Sequence, residues 1–230
     1  MMKRRFLLAI CLGLTLLLCG PLAGAASVLF IGNSFTYFND GLDRTLTELA
    51  PGTVTAKVVA GGYTLEQHWN NGATQSKLHE RRWDFVVLQE QSQTPVIDSR
   101  KYYEYAAKFD AEIRCNGGRT VLLMTWERPD SVQYGVTTSG LAAAVNGLGT
   151  QLGVAVAPAG LAFARSLRER AGLALYVNDG HPTPAGSYLA ACVLFKTIFE
   201  RSPVGLSYAP RGVDAAARDH LQRIATLTTR

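Results

Sequence analysis

Residues 28–36 read Val28-Leu29-Phe30-Ile31-Gly32-Asn33-Ser34-Phe35-Thr36. Four consecutive apolar residues run straight into a Gly-Asn-Ser turn, and Asn39-Asp40 beyond it can cap a helix carrying Leu42 and Leu46. A strand with no polar alternation suits a sheet covered on both faces. A serine that follows it directly stands at a strand-to-helix turn, where its N–H and those of its neighbours lie near the positive end of the helix. That position serves a nucleophile and an oxyanion donor alike. The plainer alternative is a turn shaped by Gly32 and Asn33 in which Ser34 bonds only locally.

The same kind of apolar run recurs along the chain at residues 27–31, 54–59, 85–88, 120–125 and 154–156. Amphipathic stretches lie between and after them, at 41–49, 102–115, 138–152, 161–171, 185–200 and 213–227. Strand and helix alternate, which predicts an α/β fold: a three-layer α/β/α sandwich around a central parallel sheet of about five strands. Such sheets bind ligands at the carboxyl ends of their strands, so the chemistry is expected in the loops after Ile31, Val59, Leu88 and Thr125.

A serine hydroxyl needs a base to take its proton, and usually a third group to orient that base. Of the four histidines, His181 lies in Tyr176-Val177-Asn178-Asp179-Gly180-His181-Pro182-Thr183-Pro184, a loop of turn formers leading into an apolar helix with Thr183 as its cap. It is the expected base. His79, among Glu80, Arg81 and Arg82, and His220, beside Asp219, read as solvated helix or loop residues. His68 reads as structural, near the rim of the site.

Together these segments resemble the SGNH/GDSL hydrolases, in particular exported bacterial members whose first block reads IGNSFT. The likeness runs from Phe30-Ile31-Gly32-Asn33-Ser34-Phe35-Thr36 to Asp179-Gly180-His181-Pro182. Chain order supports it over the α/β-hydrolases, whose elbow needs a glycine where Thr36 stands and places its serine mid-chain. The resemblance implies a flavodoxin-like sandwich and an esterase with Ser34 as nucleophile, His181 as base and an acid in the same late loop, for which Asp179 is chosen because its charge stabilises the imidazolium better than an amide would. It also implies an oxyanion hole built from the N–H groups of Ser34 and Gly62, with Gly61 the alternative. Gly61-Gly62 follows the second strand, and glycine there lets a donor approach the oxyanion to about 3 Å.

Two positions depart from the family pattern. Its third block ends in an asparagine whose amide completes the oxyanion hole, but this chain reads Leu88-Gln89-Glu90-Gln91-Ser92-Gln93. A glutamine can donate the same bond from one methylene further out, and Gln91 is preferred to Gln89. The family also spaces its acid three residues before the histidine, where this chain has Asn178, while Asp179 lies two before. Asn178 is therefore the alternative acid position. Trp126-Glu127-Arg128-Pro129-Asp130, after the fourth strand, can line the pocket.

At the N-terminus Lys3, Arg4 and Arg5 precede an apolar run over residues 6–18 and the small residues Ala23-Gly24-Ala25-Ala26. That order is the layout of a signal peptide over residues 1–26, leaving one domain over 27–230 that is exported to the periplasm or beyond. Lipid anchoring through Cys19 is disfavoured by the bulky Leu18 before it. Loss of three leader cations lowers the formal charge from +5 to about +2, so no nucleic-acid footprint remains. No membrane span is expected in the mature form. Cys115 and Cys192 remain, paired or free. Neither metal-ligand spacing nor a phosphate loop is present, and the chemistry calls for no cofactor. The expected partner is a small-molecule or glycan ester. The rival readings are an exported O-acyltransferase and a noncatalytic carbohydrate-binding protein on the same fold.

Overall fold

The structure, a computed structural model, describes residues 26–229. The leader expected over residues 1–26 lies outside the described residues except for Ala26. Five strands, β1 (Ser27–Gly32), β2 (Val54–Val59), β3 (Phe85–Leu88), β4 (Arg119–Leu123) and β5 (Ala155–Ala157), form one parallel sheet in the order β2-β1-β3-β4-β5. Ile31 pairs with both Val58 and Leu88, and Leu88 with Leu122, so the carboxyl ends of the inner strands are level. The fourth strand is expected to reach Thr125 but stops at Leu123, because the Met124 carbonyl is taken by the Gly160 N–H at the start of the helix that follows β5.

Among the described residues ten α-helices, besides a 3-10 turn at Ser131–Tyr134, connect and cover the sheet: α1 (Ser34–Tyr37), α2 (Leu42–Leu49), α3 (Leu65–Trp69), α4 (Gly72–His79), α5 (Thr94–Ile97), α6 (Ser99–Cys115), α7 (Thr138–Leu152), α8 (Ala159–Glu169), α9 (Pro184–Phe199) and α10 (Ala215–Leu227). The long ones follow the apolar periodicity of the sequence. α1, α3 and α5 have four or five residues, too short for a period to show, and α4, as long as α2, buries only Thr74 and Leu78 and so carries no apolar stripe. Asn39 and Asp40 do not cap α2. Its N-cap is Gly41, without a side-chain bond, and Asn39 and Asp40 sit in the left-handed region with φ of 52° and 69°.

Successive strand residues face opposite sides, so the inner strands β1, β3 and β4 feed two cores, whereas the edge strand β2 packs only Ala56 and Val58 against one of them. Val28, Phe30, Val87, Val121 and Leu123 pack against α2, α8, α9 and α10, whereas Leu29, Ile31, Val86, Leu88 and Leu122 pack against α6 and α7, joined by Leu65 and Leu78. Each such side chain, fully buried, contributes about 1.5–3 kcal/mol. α9 is apolar on nearly every side because α10 covers the face it turns from the sheet. Cys115 is exposed and Cys192 buried, and both are free thiols. Among the described residues no helix is long and apolar enough to cross a membrane.

β1 is flanked by β2 on one side and β3 on the other, so the chain reverses its direction of travel across the sheet there. The crevice at such a switch point is where parallel sheets hold ligands. Ser34 follows β1 into it, Gly62 follows β2, and Gln91 follows β3.

Candidate active site

The turn carrying Ser34 is tightly specified. Asn33 is the N-cap of α1: its side-chain oxygen accepts from Phe35 N–H at 3.2 Å, and its amide donates to Tyr63 O at 2.9 Å. Gly32 leaves no room for a side chain, since a Cβ would lie 2.5 Å from Thr36 Oγ1 and 2.6 Å from Gln89 Oε1. Ser34 is the first residue of α1, and its N–H has no partner among the described residues.

His181 reaches this turn from a hairpin that begins with Leu175. Tyr176 bridges Pro182, Val177 N–H donates to His181 O at 2.9 Å, and Gly180 N–H donates to Val177 O at 2.8 Å. Asn178 and Asp179 occupy the tip, with Gly180 at φ of 86°, an arrangement in which only glycine fits easily. Trp126 Nε1 donates to Gly180 O at 3.0 Å, while a Cβ on Gly180 would lie 2.5 Å from Arg128 Cγ. Gly180→Ala should accordingly lower stability by about 1–2 kcal/mol, read from denaturant midpoints, and an unchanged midpoint would show that the tip has slack.

His181 Nε2 lies 2.9 Å from Ser34 Oγ. Phe38 stacks on the imidazole at 4.2 Å, Phe35 meets it edge-on at 5.5 Å, and Trp126 lies stacked between Phe35 and Phe163. Asn39 ties the two loops together by donating to Pro182 O at 2.8 Å and Ser187 Oγ at 2.9 Å. On the far side of the ring, Asp179 Oδ2 is 3.0 Å from Nδ1, yet Nδ1, shut off from solvent, makes no directed hydrogen bond. The contact has ion-pair distance without hydrogen-bond alignment. Asp179 spends its other oxygen on the His181 backbone N–H at 3.0 Å, and this bond, followed by the contact with the ring, holds its carboxyl below the usual carboxylate range. Asn178 is exposed and makes no hydrogen bond among the described residues.

Ser34 and His181 open into a cavity of about 420 Å³ lined also by Tyr37, Phe38, Gly62, Gln91 and Arg128. A larger hollow of about 630 Å³, bordered by Val156, Lys196 and Thr228, shares no residue with it and has neither histidine nor acid on its walls. No family model matches the chain, and no curated protein matches it in sequence. Among solved structures it is similar to a protein from Slackia heliotrinireducens assigned to the SGNH hydrolases, at 33% identity over 76% of this chain and 100% of the other, with a TM-score of 0.66. The chain belongs to the SGNH hydrolases. Two further structures share the fold. One is a protein of a family of unknown function from Bacteroides uniformis (19% identity, 87% of this chain and 93% of the other, TM-score 0.68). The other is an acetyl-xylooligosaccharide esterase from a Geobacillus (14% identity, 77% and 94%, TM-score 0.55).

As an SGNH hydrolase the chain is a serine ester hydrolase by class. Its second block is the turn closed by Tyr63 N–H donating to Ala60 O, with Gly62 at φ of 72°. The glycine suits its left-handed backbone angle, and a Cβ on Gly62 would meet no protein atom within 4 Å, so that side of the turn is open. The N–H groups of Gly61 and Gly62 have no partner among the described residues.

In the third block the two glutamines separate. Gln89 is fully buried, with Oε1 accepting from Asn33 N–H at 2.8 Å and Thr36 Oγ1 at 2.9 Å, and Nε2 donating to Glu90 O at 2.5 Å. Its oxygen holds the Ser34 turn, and the side chain is wholly buried and absent from the cavity wall, so the structure places Gln89 apart from the cavity that Gln91 reaches. Gln91 lines the cavity. Its Oε1 accepts from Gln93 N–H, Thr94 N–H and Thr94 Oγ1, which leaves Nε2 without a partner among the described residues.

The remaining expectations resolve simply. His68 is buried, donating from Nε2 to Gly32 O at 2.8 Å, and burial, the larger effect, moves its pKa down. His79 is exposed at the end of α4 as expected, whereas His220 of α10 is not a solvated residue but half-buried, its Nε2 3.0 Å from Ser166 Oγ of α8 and its Nδ1 beside Arg223. Of the stretch 126–130 expected to line the pocket, Arg128 alone lines the cavity, while Trp126 is buried behind it, bonded to Gly180 O and stacked on Phe35. The contributions of Phe38 and Asn39 went unread because nothing in a Phe-Asn pair signals a ring stack or a bond to a loop over 140 residues away.

Proposed function

We propose that this chain cleaves short carboxylic esters, acetyl esters of carbohydrates foremost, through an acyl-enzyme on Ser34. Ser34 Oγ attacks the ester carbonyl as His181 Nε2 takes its proton, and the carbonyl π electrons move to oxygen. The N–H groups of Ser34 and Gly62 and the free amide of Gln91 receive that oxyanion. Collapse expels the alcohol with the proton from His181; water, deprotonated by the same nitrogen, then attacks the acyl carbon, and the second intermediate releases the acid by expelling Ser34 Oγ, which takes that proton back. Asp179 supplies the negative charge behind the ring. The observation that carries this reading is the 2.9 Å approach of His181 Nε2 to Ser34 Oγ at a cavity wall with unpaired N–H groups.

The bulky walls, Tyr37, Phe38 and Arg128 around about 420 Å³, support a short acyl group, and the half-buried rings of Tyr37 and Phe38 at the wall suit sugar rings. The Geobacillus neighbour's described substrate, an acetylated oligosaccharide, agrees with that choice. The test pairs fluorophosphonate labelling with a series of p-nitrophenyl esters of graded length, then acetylated polysaccharides. Labelling confined to Ser34 and turnover falling with chain length are expected. No labelling of folded protein would remove the mechanism, and a preference for long chains would remove the short-acyl assignment.

The order of cations, apolar run and small residues before Ser27 supports export with cleavage between Ala25 and Ser27. Mass spectrometry of the exported protein should show that new N-terminus. An intact Met1, or a lipid on Cys19, would refute it.

A further inference from the structure

Glu90 takes no part in the mechanism above, yet it is 5% exposed and sits between Gln89 and Gln91 in the third block. A carboxylate buried to that degree is costly unless its oxygens are satisfied. Its partners are two backbone donors from different blocks. Leu65 N–H, the first of α3 and three residues beyond Gly62, lies 3.2 Å from both oxygens, and Gln91 N–H lies 2.6 Å from Oε1. On the other face of the Gly62 turn, Tyr63 O is held by Asn33 of the Ser34 turn. The second block is thus gripped from the first block by Asn33 and from the third by Glu90.

We propose that Glu90 is a positioning residue that clamps the two outlying arms of the oxyanion hole, the Gly62 turn and Gln91, into one register. This rests on the oxyanion assignment made above. The Glu90 carboxyl connects two loops, after β2 and after β3, that are not neighbours in the sheet, since β1 lies between them. With the clamp loosened, either arm can drift by a fraction of an ångström while Ser34 and His181, held by Asn33, Gln89, Phe38 and Asn39, stay in place. Donors that must meet a developing charge at about 3 Å tolerate little drift. Glu90 faces Glu66, Asp98 and Tyr102, and burial, the largest effect, pushes its pKa up to about 7.

The experiment compares wild type with Glu90→Gln, which keeps the shape but leaves one oxygen to accept where there were two. The expected result is kcat lower by about 10- to 30-fold on p-nitrophenyl acetate, with KM within about threefold. Amide exchange should quicken in residues 61–65 and 91–94 together and not around Ser34. Wild-type kcat and unchanged exchange in folded Glu90→Gln would overturn the proposal. If the variant does not fold, the wild type decides: the amide signals of Leu65 and Gln91 should titrate with one common midpoint near 7, and separate midpoints or none would overturn it. Exchange and titration need no turnover, so a protein without esterase activity fails the functional reading and leaves the clamp judged on its own.

Discussion

Replacing Ser34 by alanine should lower kcat on p-nitrophenyl acetate by a factor of about 10³ or more while leaving the protein as stable as wild type. The first half follows from the chemistry: without the hydroxyl no acyl-enzyme forms, and only the oxyanion donors and substrate binding remain to favour direct attack by water. The second half follows from where the side chain is tied. Among the described residues Ser34 Oγ bonds only His181 Nε2, whereas α1 is capped by Asn33 and the turn is fastened by Gln89 and Gly32. Truncation therefore removes one cavity-facing contact, within about 0.5 kcal/mol in effect. Turnover and denaturant midpoints measured on the same purified protein check both halves. Wild-type turnover in the variant would exclude Ser34 as nucleophile. A collapsed midpoint would mean that the hydroxyl serves the turn, the plainer reading of the pentapeptide.

The separation of roles within that turn shows what could be read from sequence and what could not. Continuous apolar runs identify parallel strands because both faces are covered, and here every residue of β1 is buried. A serine directly after such a strand is placed by chain connectivity alone, which is why Ser34, Gly62 and the third-block glutamines all fall at the crevice. Connectivity does not say which way a side chain turns. Gln89 and Gln91 are chemically identical and two residues apart, and only the packing of Gly32 and Thr36 against the first, and the capping of α5 by the second, assigns one inward and one to the cavity. The same limit hid the stack of Phe38 on His181, a contact across 143 residues with no local signature. Short helices such as α3 escaped for a different reason, since one turn of helix carries no period and is held by a capping box and by Glu90.

The shifted acid is where sequence and geometry inform each other most, and the prediction that follows concerns Asp179 against Asn178. A three-residue interval would put Asn178 behind the imidazole, but Val177 to His181 close a tight hairpin with Gly180 in the left-handed region, and that tip turns Asn178 to solvent and Asp179 toward the ring. Because Oδ2 at 3.0 Å from Nδ1 lies off the N–H line, Asp179 acts on the ring through its charge more than through a directed bond. Charge attraction tolerates misalignment; a neutral amide has no such latitude. The carboxyl is held ionised by the His181 backbone N–H, so the charge is present across the working pH range. Asp179→Asn should keep the turn, whose N–H bond an amide oxygen can still accept, and lose the stabilisation of the imidazolium that forms in the transition state. We expect kcat/KM to fall by roughly 10²-fold, less than the loss of about 10⁴ from a fully buried triad acid, because the carboxylate is exposed and Phe38 holds the ring independently. Asn178→Ala should change kcat/KM by less than about threefold. Parallel kinetics on the two variants decide the matter: Asn178→Ala crippled and Asp179→Asn nearly silent, both folded, would mean that the hairpin rearranges in solution to the usual spacing and that Asn178 orients the base.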